Sequence, residues 1–307
     1  MPKKVIKKII FIGSKELGLK VFKSIYRLSD NLDWIVVMPD DSSDNRSINS
    51  EFIEFTKVNS IKCKTAKNKK ALEKIIINEK PDIGFVCGLY WIINKSILDS
   101  VNHGLWVMHN SLLPKYRGGA PLVWSIINDE KFVGTSIFRM EAGMDTGEIL
   151  LQIKINISDK MYIGEILDKI QERTINELPK KWAQLLKGSA TTKKQNEKNA
   201  TYCAQRIEED GIIDWKKDSK YLYNFIRAQS KPYPCAYIIY KNQKIKILKS
   251  KIFKQKYYGT PGQVISVKRN SVLIACGNNS ALELLDCEIN EKFYSASQVF
   301  KSINIRL

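Results

Sequence analysis

The chain holds two imidazoles, His103 and His109, so a reaction that needs a group titrating near neutrality must use one of them. His103 precedes Gly104 in a segment that reads as a turn, the setting of a solvated loop side chain. His109 ends an apolar run and opens the stretch Met108-His109-Asn110-Ser111-Leu112-Leu113-Pro114-Lys115-Tyr116-Arg117-Gly118-Gly119-Ala120-Pro121, whose glycines and prolines specify a loop. An imidazole at a strand tip can donate or shuttle a proton, although a lone histidine is more often a structural side chain. A second segment, Glu141-Ala142-Gly143-Met144-Asp145-Thr146-Gly147-Glu148, sets a carboxylate among glycines between two apolar runs. A plain hairpin turn uses the same residue types.

The elements around these residues set where they stand. Residues 5–12, 34–38, 83–88 and 105–108 are near-continuous apolar runs, residues 62–64 read as a short strand, and residues 17–28, 51–59 and 68–79 read as helices between them. Continuous rather than alternating apolar strands, separated by helices, predict an α/β fold with a Rossmann-like, mostly parallel sheet covered on both faces. His109 then leaves the carboxyl edge of the sheet, where open α/β sheets bind ligands. The first turn, Gly13-Ser14-Lys15-Glu16-Leu17-Gly18, lacks the glycine spacing of a dinucleotide site. Residues 134–140 and 149–157 read as further strands and 163–186 as a long amphipathic helix. The predicted domains are 1–188, a polar linker over 189–202 with almost nothing to bury, and 203–307. In the last domain residues 222–227 look like the end of a helix. Five short strands follow at 236–240, 244–251, 262–267, 271–275 and 281–286, the pattern of a small barrel.

Composition narrows the classes. A hydrophobic content of 44% over 307 residues supports a sizeable core. No apolar run reaches the roughly 20 residues that span a bilayer, and the basic start Met1-Pro2-Lys3-Lys4 precedes too short an apolar stretch for a signal peptide. The expectation is a cytoplasmic protein with no membrane partner. Six scattered cysteines without a CxxC pair, beside two histidines, offer neither a disulfide framework nor a metal site. The net charge of +18 suits nucleic acid, a phosphorylated substrate or a polyglutamated cofactor. Only nine of the 50 basic residues are Arg, so the charge also fits lysines spread over solvated faces.

Together the two segments resemble the folate-dependent formyltransferase family, whose signature runs Asn-x-His-x-Ser-Leu-Leu-Pro, then a basic Gly-rich stretch, then Asp-x-Gly about 35 residues later. His109-Asn110-Ser111-Leu112-Leu113-Pro114 and Asp145-Thr146-Gly147 stand at that separation. Arg227-Ala228 and Pro232-Tyr233-Pro234 resemble the motif that leads into the OB-like C-terminal barrel of the two-domain branch. The resemblance implies attack of a primary amine on the formyl carbonyl of N10-formyltetrahydrofolate, through a tetrahedral intermediate, with no metal. His109 and Asp145 would be catalytic, the carboxylate favouring the imidazolium. The pterin would lie against the loop Trp91, Ile92 and Ile93 and near Glu141, Ala142, Gly143, Met144 and Asp145, with Ser111, Leu112, Leu113 and Pro114 shaping the pocket. For Trp91-Ile92-Ile93, ordinary core packing is an equal alternative.

Two positions depart from the signature. Val107 stands where the family has Asn, on the same strand face as His109, and one oxyanion donor is typically worth about 100- to 1,000-fold in rate. Asn110 or a backbone N–H substitutes, or the enzyme is slow, or the chain is a non-catalytic folate- or RNA-binding relative. Gly119 stands where a sugar-modifying relative has Arg. For the amine, an amino sugar linked to a nucleotide is the first expectation and methionyl-tRNA the second. After the second strand, Pro39-Asp40-Asp41-Ser42-Ser43-Asp44-Asn45-Arg46 is acidic where tRNA-type enzymes carry a basic loop, and carboxylates there would repel a phosphate backbone. Three residues, Gln229-Ser230-Lys231, separate Ala228 from Pro232, as in the sugar-modifying type. Gly143-Met144-Asp145-Thr146-Gly147 and the net charge favour tRNA.

Overall fold

The computed structural model describes residues 5–40 and 47–307. The basic start and most of the acidic segment after the second strand, residues 41–46, fall outside them. The chain divides into two compact units. The first is Met1–Pro121, Val133–Ile155 and Asp168–Cys203, and the second is Leu122–Phe132, Asn156–Leu167 and Ala204–Leu307. The boundary falls at the end of the segment expected as a linker. Two short stretches within residues 1–188 belong with the second unit.

In the first half of the chain, apolar runs become buried strands. They are β1 (Lys8–Gly13), β2 (Asp33–Pro39), β3 (Lys62–Ala66), β4 (Ile83–Cys87) and β5 (Leu105–His109). The helices α1 (Glu16–Tyr26), α2 (Asn49–Val58), α3 (Lys69–Glu79) and the unforeseen single turn and a half α4 (Lys95–Ser100) alternate with them. A two-residue strand β6 (Arg117–Gly118), helix α5 (Pro121–Ile127), strands β7 (Phe132–Arg139) and β8 (Ile149–Asn156), the 24-residue helix α6 (Ile163–Leu186), a 3₁₀ turn (Glu197–Asn199) and β9 (Tyr202–Cys203) follow.

The sheet order is β3-β2-β1-β4-β5-β7-β8, parallel from β3 through β5, with β7 antiparallel to β5. The order therefore reverses between β1 and β4, and the loops leaving β1, β4 and β5 share one carboxyl edge. Ile9, Ile10, Phe11 and Ile12 of β1 are wholly buried, as a central strand covered on both faces requires. Phe11 carries one face, with Phe22, Phe52 and Phe85 within 4.8–6.2 Å, ring centroid to centroid. Trp182 of α6 stands edge-on to Phe85 at 5.7 Å.

The opposite edge of the sheet is tied by carboxylates. Asp82 accepts from the backbone N–H of Lys7 and Lys8 at 2.9 and 3.0 Å, just ahead of β4. Glu79, at the end of α3, gathers Lys8 of β1 with Lys62 and Lys64 of β3 at 2.6–2.8 Å. These three ammonium groups hold its carboxyl well below the usual carboxylate range.

In the second unit a helix α7 (Ser219–Gln229), N-capped by Asp218 accepting from Tyr221 N at 2.8 Å, precedes the strands. They are β10 (Ala236–Tyr240), β11 (Gln243–Phe253), β12 (Val264–Val267), β13 (Val272–Cys276), β14 (Ser280–Ile289) and β15 (Lys292–Ser295), with a last short helix α8 (Ala296–Val299). The order β10-β11-β14-β13-β12, with β15 on β14, makes an antiparallel sheet with one strand more than the pattern gave. β15 escapes the pattern because Lys292 and Phe293 are exposed and Tyr294 and Ser295 only half-buried, leaving no apolar alternation.

Glu79→Gln should lower Tm at pH 7 by roughly 2–4 °C, about 1 kcal/mol, because Lys62 is itself half exposed and water screens that pairing. A carboxyl held low in the folded state stabilises fully above its ordinary value of 4.5 and progressively less as pH falls from there toward the folded-state value. The gap between the two proteins should therefore close in acid, and a gap that widens toward pH 3 would contradict the assignment.

Candidate active site

β5 lies between β4 and β7, and its last residue carries His109 to the carboxyl edge. The ring stands edge-on to Phe138 of β7, with centroids 6.4 Å apart, and keeps 11% of its surface exposed. His109 Nε2 is 2.8 Å from the carbonyl oxygen of Tyr116, which can only accept, so this nitrogen carries a proton. Nδ1 faces Asp145 Oδ2 at 3.6 Å, beyond a hydrogen bond but close enough for two charges to interact strongly away from bulk water. Both ring nitrogens thus face oxygen atoms. The two residues joined on sequence grounds are together in space.

Asp145 sits in the connection between β7 and β8, so the hairpin reading and the chemical reading of Glu141–Glu148 describe the same residues. Its backbone is left-handed (φ 53°), an unfavourable region for a side-chain-bearing residue that local contacts must hold. Its Oδ2 accepts the N–H of Gly118 at 2.8 Å. Gly147 makes the turn possible, since a Cβ there would lie 1.8 Å from the carbonyl oxygen of Arg139.

The loop after His109 is pinned on both sides. On β7, Ser136 Oγ donates to Ser111 O at 2.7 Å and accepts from Leu113 N at 3.2 Å, while Gln152 of β8 donates to Leu113 O at 2.9 Å. On the other side β6 pairs in parallel with β9, and Tyr116 N donates to Thr201 Oγ1 at 2.8 Å. Gly118 is required at this crossing. Its φ is +102°, and a Cβ would lie 2.4 Å from the carbonyl oxygen of Cys203. Burial, reinforced by the Asp145 charge, pushes the Cys203 thiol up to about 11, so it stands beside the pair as a neutral group.

Arg117, which sequence reasoning passed over, is completely buried. It makes a two-pronged pairing with Glu197 at 2.7 and 2.8 Å and donates to Gln195 Oε1 at 2.8 and 3.2 Å. The Glu197 carboxylate raises the guanidinium's affinity for its proton, and Arg117 in turn holds Glu197 low. Residues 189–202, expected to be a bare linker, therefore supply the contacts that hold the site loops. The one sequence signal was a Gln and a Glu in a tract otherwise rich in Lys, Thr and Asn.

The remaining residues of the predicted site divide. Of the β4 loop, Ile93 is buried and Trp91 packs on the core, whereas Ile92 is 69% exposed and its neighbour Tyr90 61%. Leu113 is buried against Phe138 and Ile149, Leu112 and Pro114 are half-buried, and Glu141, Ala142, Gly143 and Met144 are exposed. Val107 lies opposite Val86 and Phe138 and packs on both apolar clusters, so a methyl surface fills that place. Asn110 Oδ1 and Ser111 Oγ are buried without a hydrogen-bond partner among the described residues. Two cavities, of about 470 Å³ against Phe293 and Tyr294 and about 180 Å³ against Arg206 and Tyr221, are lined by residues of the second unit and include none of the predicted site.

Residues 7–181 match the family model described as formyl transferase, and residues 206–304 match formyl transferase, C-terminal domain. Methionyl-tRNA formyltransferase of Clostridium beijerinckii is 36% identical over 198 residues, 64% of this chain and 63% of that protein. The enzyme of the same name from Acetivibrio thermocellus is 30% identical over 88% of both chains. The crystal structure of an N-formyltransferase from Helicobacter canadensis, in complex with folinic acid and dTDP-3-aminofucose, has the same fold at a TM-score of 0.69, 19% identity, and coverage of 91% of this chain and 99% of that one.

Gly118→Ala should cost roughly 1–3 kcal/mol of stability by chemical denaturation, since it forces a side chain into left-handed backbone and against β9. A loss within experimental error would show that β6 and β9 are not held as described.

Proposed function

The chain belongs to the formyltransferase family, and from that premise we propose that it formylates a primary amine with His109 and Asp145 at the carboxyl edge of its parallel sheet. The observation that carries this is the pairing itself: the two charge-bearing groups stand 3.6 Å apart, at the end of β5 and in the β7–β8 connection, beside partly exposed surface. N10-formyltetrahydrofolate, which formyltransferases use, supplies the formyl carbon. Tyr90, Ile92 and Met144 offer exposed apolar surface for its ring.

The transfer removes a proton from the incoming amine and delivers one to the departing nitrogen. The N–H of His109 stabilises negative charge growing on the carbonyl oxygen, and the ring shuttles the proton, passing one to the departing nitrogen and taking up the one the amine sheds. To do so toward a ligand, Nε2 must exchange the Tyr116 carbonyl for that ligand. Asp145 holds the ring's orientation and offsets its charge, and the Gly118 N–H keeps the carboxylate in place. With Val107 apolar, the donors left for the growing charge are His109 itself and the Asn110 amide.

For the acceptor we favour the amino sugar of a nucleotide. Asp40, Asp41 and Asp44 against the single Arg46 after β2, and the three residues between Ala228 and Pro232, support it. The second reading is methionyl-tRNA, favoured by the relatives named for it at up to 36% identity and by a net charge of +18.

Purified protein with formyl-folate should give product from a panel of nucleotide-linked amino sugars. Product from charged initiator tRNA alone would establish the second reading, and tight folate binding without any product would remove the enzyme reading. His109→Ala should reduce kcat by about 100- to 10,000-fold with folate affinity nearly unchanged; undiminished turnover would take His109 out of the chemistry. Val107→Asn should raise the rate if the amide is the missing donor, and an unchanged rate would mean that Asn110 already serves.

A further inference from the structure

The carboxylate of Asp145 is aimed by a backbone that its own sequence disfavours, and one side chain holds that backbone. Gln195 Nε2 donates to the carbonyl of Asp145 at 2.7 Å and to that of Gly147 at 2.8 Å, bracketing the turn that presents the carboxylate. An amide placed alone could rotate half a turn and offer its oxygen instead, which two carbonyls would repel. Arg117 prevents this by donating Nε and Nη2 to Gln195 Oε1, and Glu197 holds Arg117 by its other edge. The chain Glu197–Arg117–Gln195 thus ends on the two carbonyls flanking Thr146.

We propose that Gln195 is a positioning residue for formyl transfer: its amide, locked by Arg117, fixes the left-handed turn at Asp145 so that the carboxylate meets both Gly118 N–H and the His109 ring. Arg117 serves the site twice. Its side chain orients Gln195, and its backbone, through β6 and β9, places the neighbouring Gly118 N–H on the same carboxylate. A buried cation, a polar strap and the Asp145 turn form one hydrogen-bonded unit, and a misplacement of the order of 1 Å at its end costs on the order of 100-fold in rate. The inference rests on Asp145 acting in the reaction, and the test separates the two.

Gln195→Glu keeps size and the acceptor facing Arg117 while removing both N–H donors; Gln195→Ala removes the whole contact. Each is measured in the full-length protein for kcat, for KM of formyl-folate and of amine, and for Tm, alone and combined with Asp145→Asn. The expected result is that both Gln195 variants lose about 10- to 100-fold in kcat, change either KM by less than about twofold, and lose nothing further when Asp145 is already Asn, since residues acting as a unit are non-additive. A full loss in the Asp145→Asn protein with Gln195 effects that multiply on top of it, or with no Gln195 effect, overturns the positioning role and leaves Asp145 catalytic. An Asp145→Asn protein of undiminished kcat overturns the catalytic reading and the positioning role with it. Gln195→Glu with wild-type kcat at lowered Tm overturns the proposal as well, because the contact would then serve stability alone.

Discussion

One carboxylate oxygen organises this site. Oδ2 of Asp145 takes the backbone N–H of Gly118 at 2.8 Å and faces the imidazole of His109 at 3.6 Å, so both ends of the loop after β5 are fixed against the β7–β8 connection by a single atom. A bare carboxylate half removed from water is costly unless such donors meet it. Both partners are themselves held. Gly118 lies in a crossing too tight for a Cβ, and His109 closes a buried strand whose far ring nitrogen donates to the Tyr116 carbonyl. The sheet supplies the position and the loops supply the direction.

That division explains what could be read beforehand. The parallel core was legible because strands buried on both faces are apolar without a break, as in residues 9–12 and 83–87. Strand direction was not, because side-chain periodicity is the same for a strand run either way; hence β7, antiparallel to β5, could be located but not oriented. His109 and Asp145 were legible as a pair through the motif they share with a family, whereas either alone had an ordinary structural reading. Arg117, Gln195 and Glu197 left no such mark. Hydrogen bonds from a polar side chain to a backbone carbonyl depend on where the chain passes, and a tract with nothing to bury looks like a tether in one dimension. The tract expected as a linker is instead part of the machinery of the first unit.

The second unit poses a different question. Its strands bury an apolar face with little to suggest chemistry, and several of its lysines are already matched by carboxylates: Lys246 and Lys231 by Glu288, and Lys268 by Glu283. The net charge of +18 already counts these carboxylates, so the excess of cations it records lies elsewhere on the chain.

Where the folate binds relative to His109 and Asp145 decides whether the pair acts in the transfer. A crystal structure with 5-formyltetrahydrofolate, whose formyl group is not poised for transfer, tests this most directly. The pterin is expected between the Tyr90–Ile93 loop and residues 141–145, with a ligand polar atom in place of the Tyr116 carbonyl at about 2.6–3.2 Å from His109 Nε2. Folate bound elsewhere, or bound there with His109 still turned to Tyr116 and out of reach, would contradict it.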